Sequence, residues 1–204
     1  MRIACLAWGS LVWDPRELPV LRPWRTDGPA VPVEFARVSR DGRLTLVIVP
    51  QAQPQPALWS LFDLAALEAW RGKAAPAETL EAALQALRER EGTVRRHIGC
   101  WRSGSPDPPA LAGLGDWAKA RDLDAVLWTA LPPKFAGEDG RVPSAEEAVE
   151  YLARLEGEAR ERAERYVRQA PAQIDTAYRR AIAARLGWTP APPPQGLSSR
   201  PGPC

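Results

Sequence analysis

The sequence predicts an α+β fold, either a small mixed sheet or a partly closed β-barrel, with helices packed around it. Short strand-like apolar runs, about six in all, dominate the first half of the chain. Hairpin signals join some of these runs directly, as in antiparallel sheets. The helices cluster later in the chain, and early hairpins followed by later helices favour the α+β class.

Composition predicts a single globular domain over residues 1–188, followed by a Pro-rich segment, 189–204, that we expect to be disordered. The chain has 204 residues, of which 45% are hydrophobic and 25% charged, as in ordinary soluble domains. A formal net charge of +2 is too small to predict a nucleic-acid or membrane surface. Since neither a secretory signal nor an apolar run of about 20 residues is seen, we expect a cytoplasmic protein.

The first seven residues form a nearly continuous apolar run that ends at Trp8-Gly9-Ser10-Leu11. Such a run predicts a central strand covered on both faces. Gly9 allows a tight turn or the close approach of a ligand, and the successive N–H groups after it are suited to binding an anion. The alternative is an ordinary strand end, with Trp8 and Trp13 as core residues.

The remaining strands are marked by apolar and β-branched residues between turn residues. Asp41-Gly42 predicts a hairpin, while 14–32 and 50–56 are rich in turn residues and predict irregular segments. We expect further strands at 31–38, 43–49, 57–63, 95–102 and 124–131.

Four helices are predicted after residue 63. The first two are 64–71 and 77–91, the second ending at Gly92. Ser144 and Glu147 form a capping-box pattern that begins a long helix, which Pro171 ends. The last helix is expected at 174–186, and the Pro- and Gly-rich stretch 103–115 is expected to be a loop.

Glu91 is the candidate catalytic carboxylate. Leu80, Leu84 and Leu87 are spaced four and three apart, and the next position on that helix face is Glu91. A carboxylate carried inward loses hydration, which raises its pKa and suits it to acid–base catalysis near neutral pH. The alternative is a frayed last turn, with Glu91 in water or paired with Arg95.

Other catalytic arrangements find little support in the sequence. Cys5 and Cys100 lie in apolar runs and are expected to be inert buried thiols. His97 and Cys100 are three apart on a predicted strand and should face opposite ways. A Ser10–His97 pair lacks a supporting motif, and ligands for a metal are too few, so we expect no metal or cofactor.

Two of these segments resemble motifs of the ChaC-type γ-glutamylcyclotransferases. Trp8-Gly9-Ser10-Leu11-Val12-Trp13 resembles the family's Tyr-Gly-Ser-Leu-apolar-Trp signature, and Arg90-Glu91-Gly92 is similar to the segment that carries its catalytic glutamate. Weaker similarities follow in the same order as in the family: Arg37, Ser39, Thr45-Leu46-Val47, Leu58-Trp59-Ser60-Leu61 and Asp175-Thr176-Ala177-Tyr178. The resemblance covers roughly residues 2–186, and it departs from the family at Trp8 and Asp175, where the family has tyrosine and asparagine.

The resemblance implies a γ-glutamylcyclotransferase-like lyase that converts a γ-glutamyl amine or peptide, such as a glutathione-like compound, to 5-oxoproline and a free amine. It implies Glu91 as the catalytic acid and base, and as substrate-binding residues Trp8, Gly9, Ser10, Leu11, Arg37 and Tyr178. The alternatives are an enzyme of the same fold that acts on a different small amide, and a non-catalytic small-molecule binding module. RNA binding is disfavoured, because the arginines of the long helix alternate with glutamates.

Overall fold

The computed structural model describes residues 1–71 and 76–191. Within these ranges the chain forms nine strands and six α-helices, together with a short 3₁₀ helix at Arg95–His97. The strands are β1 Ile3–Ala7, β2 Ala30–Val38, β3 Leu44–Ile48, β4 Pro54–Pro56, β5 Leu58–Leu61, β6 Ile98–Arg102, β7 Ala125–Thr129, β8 Lys134–Phe135 and β9 Glu138–Asp139. The helices are α1 Leu64–Arg71, α2 Pro76–Glu91, α3 Leu114–Lys119, α4 Ala145–Ala153, α5 Gly157–Gln169 and α6 Ala177–Leu186.

The first sheet has the strand order β5-β1-β7-β6 and contains both parallel and antiparallel pairs. β1 runs parallel to β7, with Ile3 opposite Ala125, and antiparallel to β5. All five residues of β1 are buried, because the strand has neighbours on both edges and is covered on both faces. The prediction of a central N-terminal strand is confirmed.

The second sheet has the order β3-β2-β8-β9, and β4 pairs with the beginning of β2. β2 and β3 form the predicted hairpin, in which Gly42 has a φ of 81°. The α+β class is therefore confirmed, with two mixed sheets. Among the described residues the two sheets do not close into a barrel, so the mixed-sheet alternative is the one found.

Several short elements differ from the prediction. Residues 54–56 form β4 within a segment expected to be irregular, and 95–97 form a 3₁₀ turn before β6 begins. The helix α3 and the strands β8 and β9 were not predicted. The unpredicted strands and the 3₁₀ turn have only two or three residues, and the six residues of α3 span fewer than two helical turns, so none of them shows a hydrophobic period.

The helix expected to run from Ser144 to Pro171 is two helices. α4 begins with the predicted capping box, in which the Ser144 hydroxyl accepts from the Glu147 N–H and the Glu147 carboxylate accepts from the Ser144 N–H. The chain then bends, and α5 begins at Gly157, which has a φ of 51°. A positive φ is incompatible with continuous right-handed helix, so the glycine separates the two helices.

The core lies between the first sheet and α2, whose buried stripe of Leu80, Leu84 and Leu87 packs toward β6 and β7. This confirms the helical periodicity predicted for 77–91. Within the described ranges, every helix is too short or too polar to cross a lipid bilayer. The expected disordered tail falls largely on 192–204, which lies outside the described residues.

Candidate functional site

A cavity of about 250 Å³ lies at the carboxyl ends of the parallel strands β1 and β7. The turn after β1 forms one wall, Thr129 and Leu131 at the end of β7 form another, and the end of α2 forms a third. In sheets with parallel strands, ligands commonly bind beyond the carboxyl ends of the strands, where loops diverge. Residues of β3 and α5 complete the lining.

The turn after β1 carries four of the predicted substrate-binding residues, Trp8, Gly9, Ser10 and Leu11, and all four line the cavity. Val12 donates its N–H to the carbonyl of Gly9 at 3.0 Å, and Asp14 donates to that of Ser10 at 2.8 Å. Among the described residues, no acceptor takes the backbone N–H groups of Gly9, Ser10 or Leu11. Successive N–H groups without protein partners form an anion-binding feature.

Two aromatic side chains form a wall of the cavity and bind the same residue of β3. The indole N–H of Trp8 donates to the carbonyl of Leu46 at 3.4 Å, and the N–H of Leu46 donates to the Tyr166 hydroxyl at 3.2 Å. Burial raises the pKa of Tyr166 to about 12, so its phenol is neutral at physiological pH. Tyr166 was missed from the sequence, because helix periodicity places it on a buried face of α5 without showing which element it meets.

Glu91, the last residue of α2, also lines the cavity. Its side chain is only 12% exposed, and this burial raises the pKa of its carboxyl group, although the Arg90 guanidinium opposes the rise. Gly92, with a φ of 58°, ends the helix directly after it. The alternative of a pair with Arg95 does not occur, since that guanidinium donates to the carbonyl of Ile98.

Arg90 joins the glutamate to the turn. One terminal nitrogen of its guanidinium lies 2.7 Å from Glu91 Oε1, and the other donates to Ser10 Oγ at 3.2 Å and to the Asp14 carbonyl. The Arg90 side chain is 7% exposed. The sequence offered one signal for it, its place beside Glu91 in the motif, but did not show that it reaches across to the turn after β1.

The charges around the cavity favour an anionic ligand. Four arginines line it, against the two carboxylates of Asp14 and Glu91; they are Arg16, Arg37, Arg43 and Arg90. The predicted substrate-binding residue Arg37 is thus part of the lining, where one of its terminal nitrogens donates to the Pro132 carbonyl at 2.8 Å. A cationic lining attracts anions and raises their local concentration.

Tyr178 does not belong to this cavity, so its prediction as a substrate-binding residue does not fit the geometry. Its hydroxyl donates to the Pro143 carbonyl, and its N–H donates to Glu34 Oε2 at 3.2 Å. Glu34 is a buried carboxylate of β2 that also accepts from the Thr176 hydroxyl, the N-cap of α6. A carboxylate at a helix N-terminus is stabilised by the helix dipole, so this cluster anchors α6 on the sheet.

The two departures from the family pattern have different places in the structure. Trp8 stands in the cavity wall, where an indole N–H replaces the hydroxyl of a tyrosine. Asp175 is exposed, forms an ion pair with Arg180 at 3.0 Å, and is not among the lining residues. Its additional charge therefore does not face a ligand in the cavity.

The alternative nucleophiles lie apart from the site or are unreactive. His97 Nδ1 lies 2.9 Å from Thr93 Oγ1, and among the described residues neither Ser10 nor Cys100 bonds to the histidine. Cys5 is fully buried, and burial raises the pKa of its thiol, as expected for an inert cysteine. Cys100 is only partly buried, which corrects the prediction for it. In the described ranges, no three potential metal-binding side chains come together.

Comparison of the chain with protein-family models, with curated proteins and with solved structures yields no match. The resemblance to ChaC-type γ-glutamylcyclotransferases therefore depends on the two motifs and on the site that contains them.

Proposed function

We propose that the protein is a γ-glutamylcyclotransferase-like lyase, which converts a small γ-glutamyl compound to 5-oxoproline and a free amine. One observation carries this proposal. Glu91, whose carboxylate is buried, lines the same small cavity as Gly9, Ser10 and Leu11, whose N–H groups have no acceptor among the described residues. An acid–base group and an anion-binding turn are the two elements that an intramolecular cyclisation needs.

In the proposed reaction the turn binds the α-carboxylate of the γ-glutamyl group through its N–H groups. Glu91 accepts a proton from the α-ammonium group, and the resulting amine attacks the γ-carbonyl carbon of the same molecule. A new C–N bond closes the five-membered ring as the original amide C–N bond breaks. Glu91 then gives its proton to the departing nitrogen. The second proton, which the α-nitrogen loses on becoming the lactam N–H, passes through the same carboxylate to the same nitrogen. The free amine leaves as an ammonium group, so atoms and charges balance without water.

Ring closure accounts for much of the rate in this scheme, because nucleophile and electrophile belong to one molecule. Folding the substrate into a reactive conformation replaces a bimolecular encounter, which is worth up to about 7–11 kcal/mol in favourable intramolecular reactions. Acid–base assistance contributes on the order of 10²–10⁴ in rate. The scheme therefore requires a cavity that holds the γ-glutamyl group in a bent form and an acid–base group beside it.

The size and charge of the cavity support this substrate class. Its volume of about 250 Å³ lies below the roughly 300–1,000 Å³ of sites for drug-sized ligands, and suits a single amino-acid-sized group. The excess of arginines in the lining suits a substrate with a free carboxylate.

A non-catalytic binding module is the second candidate, and the ion pair between Arg90 and Glu91 favours it. A carboxylate that is fixed by a guanidinium is a weaker base than an isolated buried one, so the pair could serve only to shape a binding pocket. Such a module would bind γ-glutamyl compounds without turnover.

The deciding experiment measures 5-oxoproline release from a panel of γ-glutamyl amines and peptides. We expect turnover by the wild type and a loss of 10²- to 10⁴-fold in Glu91→Gln, which keeps the shape and removes the acid–base function. Glu89→Gln is the matched control, because Glu89 is two residues away on α2 and 46% exposed. It should retain wild-type activity.

Each other outcome separates the alternatives. Saturable binding of a γ-glutamyl compound without turnover would replace the enzyme with the binding module. Cleavage of another small amide without 5-oxoproline would indicate an enzyme of the same fold with a different substrate. Equal activity of Glu91→Gln and wild type would remove Glu91 from the mechanism.

A further inference from the structure

We propose that Arg90 is a positioning residue, whose guanidinium couples the carboxylate of Glu91 to the turn after β1. It fixes the carboxylate as a proton acceptor and directs the hydroxyl of Ser10 toward the cavity as a hydrogen-bond donor. Its part in catalysis depends on the proposed function, whereas its effect on Glu91 and Ser10 does not.

The geometry of the pair is unusual for a helix. Adjacent helical residues point about 100° apart and do not face each other. Arg90 nevertheless reaches Glu91 Oε1 at 2.7 Å, at the end of α2, where Gly92 terminates the helix. Its other terminal nitrogen is bound by Ser10 and Asp14. The contact is therefore imposed by the tertiary structure and not by helix geometry.

The bond to Ser10 determines what the serine can do. Ser10 Oγ accepts from Arg90 at 3.2 Å, and a hydroxyl group has one proton to donate besides its acceptor sites. No acceptor among the described residues takes that proton. With a lone pair occupied by the guanidinium, the hydroxyl is left as a donor at a residue that lines the cavity.

The bond to Glu91 leaves one carboxylate oxygen available. Within the described part of the chain, Glu91 accepts a hydrogen bond from Arg90 alone, through Oε1. Oε2 is thus the atom that can take a proton from the substrate. When Glu91 is protonated, Arg90 keeps its bonds to Ser10 and to the Asp14 carbonyl, so the turn stays in place through the reaction.

Glu91 is surrounded by few other charges. Besides Arg90, the cation that lowers the pKa of Glu91 is Arg16, from the loop after β1. The charge of Glu91 in turn raises the pKa of two neutral groups, the Cys5 thiol of β1 and the Tyr166 phenol of α5. The remaining charged residues of the lining are Asp14, Arg37 and Arg43. Arg16 is exposed and faces Asp14 at 3.6 Å, so water screens its effect. Arg90 is the dominant partner.

The test compares wild type, Arg90→Gln and Arg90→Lys, with Arg88→Gln as the matched control on an exposed part of α2. The ionisation of Glu91 is followed by ¹³C NMR of its carboxyl carbon, assigned with Glu91→Gln. Loss of the guanidinium should raise the pKa of Glu91 by about one unit or more, Arg90→Lys should restore part of the difference, and Arg88→Gln should change nothing. The acidic limb of kcat/KM should move to higher pH in the same order.

Ser10→Ala tests the second half of the proposal and is expected to raise KM roughly tenfold while the pKa of Glu91 stays unchanged. If Arg90→Gln does not fold, the proposal is tested by comparing the Glu91 titration in Arg90→Lys, and the KM of Ser10→Ala, with the wild-type values. An identical Glu91 titration in wild type and the Arg90 variants would overturn the proposal, whether or not the protein releases 5-oxoproline. Absence of turnover in the wild type would instead count against the proposed function alone.

Discussion

Gly9 and Tyr166 lie so close together that a Cβ atom on residue 9 would stand 2.5 Å from the phenolic oxygen. The same phenol accepts the N–H of Leu46, and the ring packs edge-to-face with Trp13 at a centroid distance of 5.4 Å. The tyrosine is therefore fixed from two further directions and cannot move aside without losing contacts. The turn after β1 needs glycine because of this neighbour.

Gly9→Ala is accordingly expected to displace the turn or Tyr166, at a cost of about 1–3 kcal/mol in the free energy of unfolding. Release of 5-oxoproline should fall at least tenfold, because the N–H groups of the turn move with it. Chemical denaturation and steady-state kinetics measure the two effects.

The double variant Gly9→Ala/Tyr166→Phe is the control for this explanation. Without the hydroxyl, the nearest ring atom lies 3.5 Å from the added Cβ, which is an ordinary contact. Part of the lost stability and activity should therefore return relative to Gly9→Ala. A double variant as impaired as the sum of its single variants would show that the clash is not the cause.

The pH dependence of activity should reflect the burial of Glu91. Burial raises the pKa of this carboxyl above its ordinary value of 4.5, and the reaction begins with the ionised form. Activity is therefore expected to be present above the raised pKa and to be lost as the pH falls through it. A kcat/KM profile measures this limb; a midpoint at or below 4.5 would contradict a buried catalytic carboxylate.

Arg179 should be among the residues most important for stability. It is 2% exposed, and its guanidinium donates to four carbonyl groups around the end of α5: Val167, Ala170, Pro171 and Ile174. Arg179→Met removes this donor from all four carbonyls, of which, among the described residues, only that of Pro171 keeps another partner, the Ile174 N–H at 3.0 Å. We therefore expect a loss of about 3 kcal/mol or more in denaturant unfolding. Arg180→Met, at an exposed neighbour, should cost less than about 1 kcal/mol. Similar losses in the two variants would contradict this assignment.

Removing the hydroxyl group of Thr129, at the end of β7, should stabilise the protein, in contrast to the loss of stability expected for Arg179→Met. Its hydroxyl oxygen is buried and has no hydrogen-bond partner among the described residues. Thr129→Val keeps the shape and removes the unpaired group, so the free energy of unfolding should rise by about 1 kcal/mol. Thr45→Val is the matched control, because that hydroxyl donates to the Arg37 carbonyl at 3.0 Å and its removal should destabilise the protein. Destabilisation by Thr129→Val would reveal a partner for this hydroxyl.

The parts of the fold with a long hydrophobic period could be predicted from the sequence. β1, the hairpin of β2 and β3, and α2 were found near their observed positions because five to sixteen residues repeat one pattern. α3 and the strands β8 and β9 were not, since their short pairings depend on neighbours distant in the chain. The prediction of a single helix after Ser144 was wrong at Gly157. The positive φ of this glycine ends the helical conformation there, although the pattern of apolar residues continues past it.

The site was predictable only as far as local patterns reach. Gly9 and Glu91 could be selected from a strand end and a helix stripe, and both line the cavity. Tyr166 and the bridging role of Arg90 could not, because they arise from contacts with β3 and with the turn after β1 that no spacing encodes. Tyr178 was placed in the site by resemblance alone, and its hydroxyl instead binds the Pro143 carbonyl.

The parallel pairing of β1 with β7 has a consequence for biosynthesis. β1 leaves the ribosome before β7 and gains this partner only after residues 125–129 have been translated, because Ile3 pairs with Ala125. Until then a wholly apolar segment lacks one of its two neighbours, and closing so long a loop is entropically slow. Nascent chains arrested before β7 should therefore be sensitive to protease and bound by chaperones, and should become resistant once that strand has emerged.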